Sequence, residues 1–246
     1  DMSVSVIIIT LNEEANIGPC AATLGFASEI VVVDAGSSDR TAELAAAAGA
    51  RVLVHAFTDF ADQRNFAMQS AKTEWILFID ADERVSDHLA AEILSEISGT
   101  PRAFAIPRHS YFFGKRLRYS GAREDAPVRL FPRDSGIWKQ PVHEYFETQL
   151  PLAKLKEPLI HHTTRDLAHY LEKVKCYVPL EVETMRGRGR SAGWWDIVLR
   201  PPAKFIYLYL YKLGFLDGFV GLKFALLSSY YDYKKYLLFC RGMSRQ

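Results

Sequence analysis

The chain has 246 residues, 49% of them hydrophobic and 24% charged, which excludes a disordered chain and leaves room for one or two packed domains. A chain this long buries about 70% of its unfolded surface, so its core needs no staples. The net charge is only +1, and the three cysteines, Cys20, Cys176 and Cys240, form no CxxC pair; a disulfide framework and a Cys-rich zinc site are excluded, and a reducing compartment fits.

The opening Asp1-Met2-Ser3-Val4 puts no basic region ahead of an apolar core, so no secretory signal is expected. Residues 4–10 are β-branched and almost wholly apolar, which predicts a strand buried on both faces of a parallel sheet. Asn12 is then expected to cap a helix with Glu13 and Glu14 in its first turn, where the helix dipole favours carboxylates. Residues 30–34 read as a second buried strand, 35–39 as a turn, and 41–48 as an alanine-rich helix closed by Gly49. Strands over 51–55 and 75–80 and helices over 60–70 and about 86–97 complete the pattern. Repeated β-α units of this size predict right-handed crossovers and a doubly wound, mostly parallel α/β sheet.

From residue 101 to 165 short strands such as 103–107 and 128–131 sit among Gly, Pro and Arg, the mark of a mixed β extension. Helical periodicity returns over 166–183, and Arg186 to Gly193 reads as a linker. Beyond it, Pro201-Pro202 is placed to open a helix. Residues 185–246 carry 11 Lys/Arg against 3 Asp/Glu, and 12 of the 31 aromatics fall within 201–240. No stretch of 18 uncharged apolar residues exists, which argues against a simple span; the tail is expected on an anionic membrane surface, with a place in the core or at an oligomer interface as the alternative. Trp194-Trp195 either anchors at a bilayer interface, the preferred reading, or closes the core.

In an open parallel sheet, ligands bind at the carboxyl ends of the strands. Asp34 ends the second strand, and Asp80 and Asp82 end the fourth. A lone strand-terminal aspartate commonly caps its own loop. Two carboxylates at i and i+2 also supply hard oxygen ligands for Mg²⁺ or Mn²⁺ while leaving positions for phosphate oxygens. No GxGxxG follows the first strand and no Walker A loop is present, so dinucleotide-binding and P-loop readings lose support.

The segments Val6-Ile7-Ile8-Ile9-Thr10-Leu11-Asn12-Glu13-Glu14, Val33-Asp34-Ala35-Gly36-Ser37-Ser38-Asp39-Arg40-Thr41, Gln63-Arg64-Asn65-Phe66-Ala67 and Phe78-Ile79-Asp80-Ala81-Asp82-Glu83 resemble glycosyltransferase family 2 in order and spacing. Asp125 with Arg129-Leu130-Phe131, Pro141-Val142-His143-Glu144, and Gly214-Phe215-Leu216-Asp217-Gly218 resemble its lipopolysaccharide core glucosyltransferase branch. Gly121-Ala122-Arg123 stands where that branch has an aromatic and a proline. The resemblance implies a GT-A fold over 1–185, with a nucleotide-sugar half to about 100 and an acceptor half from 101, followed by a helical tail over 194–246. It implies inverting transfer from a nucleoside diphosphate sugar, with a UDP-sugar as the expected donor, to a lipopolysaccharide-core or other lipid-linked glycan, at the inner face of the cytoplasmic membrane.

By the same resemblance Thr10, Asn12, Glu13 and Asp34 frame the base. An Asp34 carboxylate accepts the imide N–H of uracil and so rejects cytosine. Arg64 partners a diphosphate or a carboxylate, or else is a surface arginine on its helix. Asp80 approaches ribose or metal, Asp82 binds the metal, and the dication stabilises the leaving diphosphate. Glu144, Asp125, Glu124 and His143 are candidates for the base that takes the acceptor proton, with Glu144 favoured. His161-His162 invites a metal reading, but neighbours on a strand point to opposite faces, so structural or phosphate-contacting roles are preferred. Two alternatives stand beside this one. Haloacid-type phosphohydrolases also carry Asp-x-Asp, but on an early strand followed by Gly-Thr, whereas Glu83-Arg84 follows here. The other is a non-catalytic membrane adaptor built on the tail.

Overall fold

Strand β1 (Val4–Thr10) lies between two parallel neighbours, and this is why nearly all of it is apolar. Alternation along the strand sends Val4, Val6 and Ile8 to one sheet face and Ile7 to the other, and all four are buried. Each such side chain stabilises the fold by about 1.5–3 kcal/mol. The computed structural model describes residues 3–121, 125–140 and 145–243, and the chain divides into two units, Asp1–His109 with Glu124–His161 and Ser110–Arg123 with His162–Gln246.

In the first unit, β1 is joined by β2 (Glu29–Asp34), β3 (Arg51–Val54), β4 (Trp75–Asp80), β6 (Ala103–Ala105), β9 (Val128–Pro132) and β12 (Leu152–Lys154) in the order β12-β6-β9-β4-β1-β2-β3. Only β9 runs against its neighbours, so the sheet is mostly parallel with a mixed extension, as the sequence predicts. Helices α1 (Glu14–Ala21), α2 (Thr41–Ala47) and α4 (Asp87–Glu96) cover one face through Ile17, Ala45, Leu89 and Ile93. Helix α3 (Phe60–Ser70) covers the other, together with the hairpin of β10 (Gly136–Lys139) and β11 (Tyr145–Thr148), which supplies Trp138 and Phe146. Asn65 on α3 fixes that hairpin by donating to the Trp138 carbonyl and accepting its N–H, both at 3.0 Å. The short β5 (Glu83–Arg84) pairs with the start of β13 (Leu159–Thr164), setting His161 opposite Glu83.

The second unit contains the hairpin formed by the end of β7 (Arg108–Phe112) with β8 (Lys115–Arg116), and the helices α5 (Leu167–Gly187), α6 (Trp194–Ile206) and α7 (Phe219–Met243). Val174, Val178 and Val182 of α5 pack on Tyr236 and Phe239 of α7. Asp217 accepts the N–H groups of Arg118 and Tyr119 at 3.0 Å, so the Gly214–Gly218 motif ties the chain to the loop after β8. Gly221 is required there, because a Cβ would sit 1.9 Å from the Gly214 carbonyl oxygen.

Three local expectations are corrected. Asn12 does not cap α1; Glu13 occupies that position, because Asn12 takes a left-handed φ of 55° and turns its amide to another loop. Helix α5 extends through Gly187 into the expected linker. Pro201-Pro202 lies inside α6, which starts at Trp194 because the Asp196 carboxylate accepts the Gly193 N–H at 2.8 Å. A good N-terminus outweighs two missing donors on an exposed helix.

Candidate active site

Strands β1, β2 and β4 end abreast. Thr10 pairs with Asp34, and Ile9 pairs with Asp80, so the two aspartates close the strands on either side of β1. Thr10 Oγ1 is buried there with no hydrogen-bond partner among the described residues, and a ligand's polar edge at this strand end would satisfy it.

The loops after β1 and β2 are laced together. Asn12 N–H donates to Ser37 Oγ and its side-chain oxygen accepts the Ser38 N–H, each at 2.8 Å. The Glu13 N–H donates to Thr41 Oγ1 at 2.7 Å, and the Glu14 N–H donates to Asp39 at 3.1 Å. Asp34 closes its own turn, accepting from Gly36 N–H at 3.1 Å, Ser37 N–H at 2.8 Å and the Ser37 hydroxyl. Gly36 has a φ of +95°, a backbone conformation that demands glycine. A carboxylate offers about four acceptor sites, so among the described residues Asp34 keeps one beyond its loop.

At the end of β4 the charges concentrate. Arg129 of β9 is buried and forks onto Asp80, with bonds of 3.2 and 2.6 Å. Arg64 reaches Asp80 at 3.7 Å from α3, stacked 4.6 Å over the Trp138 ring and 5.2 Å over Phe78. It is therefore a buried carboxylate partner and not a surface arginine. Arg108 lies 3.8 Å from Asp80 and 3.4 Å from Glu83, and also pairs with Asp125. Burial pushes Asp80 upward, but Arg129, Arg64 and Arg108 together outweigh it and hold its carboxyl well below the usual range. Glu83 is wholly buried, accepts the Asp80 N–H at 2.8 Å, and is raised by burial and by Asp80, against the opposing pull of Arg129.

Asp82 takes a different environment. Its carboxylate lies 3.3 Å from His161 Nε2 and is mostly shielded. Strand alternation does separate the two histidines, since His162 packs its ring at 5.5 Å from Tyr111, in the second unit. Yet one of the pair reaches the aspartate. An oxygen and an imidazole nitrogen side by side suit Mn²⁺ or Mg²⁺ that takes its remaining ligands from a diphosphate. Among the described residues no group of three or more His, Cys, Asp or Glu forms a complete cage.

Of the sequence-predicted residues, the structure joins Arg64 with Asp80 in one cluster, and Asn12, Glu13 and Asp34 in the laced loops. Asp125 is largely exposed and belongs to the cluster through Arg108. Glu144, with His143 and Glu124, lies outside the described residues. Sequence reasoning missed roles for Arg108, Arg129 and Glu83, and it preferred structural or phosphate-contacting roles for His161. Arg129 and Glu83 stood within the recognised motifs, but nothing in a single sequence pairs β9 with β4.

The open, mostly parallel sheet with an Asp-x-Asp turn at a central strand end has the architecture of a GT-A fold. Residues 5–164 match the family described as Glycosyl transferase family 2, and the chain belongs to that family. It is 29% identical over 258 residues, 98% of this chain and 95% of the relative, to the lipopolysaccharide core biosynthesis glycosyltransferase LpsC of Rhizobium meliloti. A glycosyltransferase of Rickettsia bellii is 41% identical over 91 residues, 37% of this chain and 31% of that protein. Among solved structures, glucosyl-3-phosphoglycerate synthase of Mycobacterium tuberculosis, crystallised with Mn²⁺, UDP and glucosyl-3-phosphoglycerate, is 24% identical with a TM-score of 0.37, over 46% of this chain and 45% of that one. The protein is thus a glycosyltransferase. The family match over residues 5–164 speaks against the phosphohydrolase alternative.

Proposed function

We propose that this chain is an inverting glycosyltransferase that moves a sugar from a UDP donor to a lipopolysaccharide-core or other lipid-linked glycan. The observation that carries the donor half is the turn at the end of β4, with Asp80 gripped by arginines and Asp82 beside His161, next to the laced loops of Asn12 and Asp34. The free acceptor site on Asp34 suits the imide N–H of uracil, and the buried Thr10 hydroxyl suits a second polar edge of the nucleotide. The near full-length similarity to LpsC supports the acceptor class.

Asp82 and His161 would hold a divalent cation, which would neutralise charge developing on the leaving diphosphate. Arg64, Arg108 and Arg129 fix Asp80, so the turn needs no reorganisation when the donor binds. A carboxylate, Glu144 in this reading and Asp125 otherwise, takes the acceptor hydroxyl proton as that oxygen bonds to the anomeric carbon and the nucleoside diphosphate leaves with the bonding electron pair from the opposite face.

Calorimetry of UDP binding with Mn²⁺, Mg²⁺ or EDTA is the test of the donor site. UDP affinity should require the cation and fall at least tenfold in Asp82→Ala and in His161→Ala, with melting temperatures unchanged. Full UDP affinity in EDTA refutes the cation's part. A panel of nucleotide sugars assayed for transfer to core oligosaccharide tests the rest, and transfer from another nucleotide but not from UDP sugars overturns the donor assignment.

A further inference from the structure

Helix α6 contains no buried residue, although it is strongly apolar. Trp195, Val198, Leu199 and Ile206 are 57%, 53%, 59% and 54% exposed. At 100° per residue they fall within an arc of about 100°, the width of a face that a globular helix normally buries. The opposite face is already occupied: Ile197 packs against the α5–α7 core, and the Arg200 guanidinium stacks 5.0 Å over Tyr236. The outward stripe is therefore a second apolar face that the second unit does not use. It begins at the stacked pair Trp194 and Trp195, whose ring centroids lie 3.5 Å apart.

The electrostatics around the stripe name its partner. Arg188 and Arg190 are exposed just ahead of the tryptophans, while Arg186 turns its guanidinium over the Phe239 ring, and residues 185–246 together carry 11 Lys/Arg against 3 Asp/Glu. In the π-helical turn Tyr207–Tyr211 that continues α6, Lys212 Nζ sits 5.3 Å over the Tyr207 ring and 5.6 Å over Tyr211. Basic side chains beside exposed Trp and Tyr rings match a boundary that is apolar on one side and anionic on the other. A second copy would bring the same positive charge against itself, which disfavours self-association through this face. No helix among the described residues is long and apolar enough to cross a membrane.

We propose that the Trp195–Ile206 face of α6 docks on an anionic lipid bilayer, the helix lying in the plane of the interface with its apolar stripe among the acyl chains. The arginines ahead of it add attraction that salt screens, while the stripe adds burial that salt does not. This surface is separate from the transfer chemistry and stands or falls without it.

The test is co-sedimentation of the full chain with sucrose-loaded vesicles of phosphatidylcholine, with and without phosphatidylglycerol, at low and high salt. Binding is expected on the anionic vesicles, weakened but not abolished by salt. Arg188→Gln with Arg190→Gln should lower low-salt affinity about 25-fold, at about fivefold per arginine, and change high-salt affinity little. Leu199→Gln with Ile206→Gln should lower affinity at least tenfold at both salt concentrations, while circular dichroism, melting temperature and UDP affinity stay as in the parent. A parent chain that remains in the supernatant with anionic vesicles at low salt overturns the proposal. So does binding that ignores the Leu199 and Ile206 substitutions. A salt-independent dimer in sizing experiments that those substitutions dissolve would overturn it in favour of a second copy.

Discussion

Replacing Arg129 with methionine tests whether the strand-end cluster is held by charge or merely decorated with it. The side chain is only 4% exposed and makes both bonds of the fork to Asp80, with a further contact of 3.4 Å to the wholly buried Glu83. Removing one partner of a buried ion pair costs about 3–5 kcal/mol, because the other charge is left uncompensated. Here the cost is smaller. The Asp80 side chain is 32% exposed, and Arg64 and Arg108 remain at 3.7 and 3.8 Å. We therefore expect a loss of about 2–3 kcal/mol, or about 4–12 °C in melting temperature for a domain of this size. Urea denaturation followed by tryptophan fluorescence reads it as a lower midpoint with an unchanged slope. In a double-mutant cycle with Asp80→Asn, the two losses should fall short of additivity by about 1–3 kcal/mol. An Arg129→Met protein within about 0.5 kcal/mol of the parent, or strictly additive losses, refutes the argument.

Three further outcomes follow from the same geometry. Because the folded Asp80 carboxyl lies below its ordinary value of 3.8, its contribution is present above that value and is lost as pH falls through it; the stability gap between parent and Asp80→Asn should be constant from neutral pH to about 5 and shrink in more acid solution, read by denaturation at several pH values. Asp34→Asn turns one acceptor of the Gly36 and Ser37 N–H groups into a donor, so it should destabilise the fold by about 1–3 kcal/mol and weaken UDP binding in calorimetry; unchanged UDP affinity removes Asp34 from the nucleotide site. Glu144→Gln should keep donor affinity and lower turnover by about 10²–10⁴, and if Asp125→Asn does so instead, the base is Asp125.

The sequence alone determined the parallel half of the sheet. Runs such as Val6 to Ile9 and Trp75 to Ile79 are apolar at successive positions, and only a strand covered on both faces tolerates that, so periodicity and the intervening helices leave little choice of fold. It also determined where the acidic groups lie along the chain, because Asp34 and Asp80 end strands and strand ends are visible as the close of an apolar run. What those groups touch was decided elsewhere. Arg129 meets Asp80 because β9 enters the sheet antiparallel beside β4, a pairing between residues 49 positions apart that no local pattern encodes. His161 meets Asp82 because β13 pairs with β5 in a register that sets His161 opposite Glu83, and a shift by one residue would have presented His162 instead. Asn12 illustrates the same limit at short range: its sequence suits a helix cap, and a better set of partners in the loop after β2 drew it into a left-handed turn. In the tail, composition set the hydrophobicity and charge, but only packing decided that α7 lends Tyr236 and Phe239 to a core while α6 turns its apolar stripe outward. Patterning along one chain fixes which faces are apolar; which of them find a partner depends on how distant elements fit together.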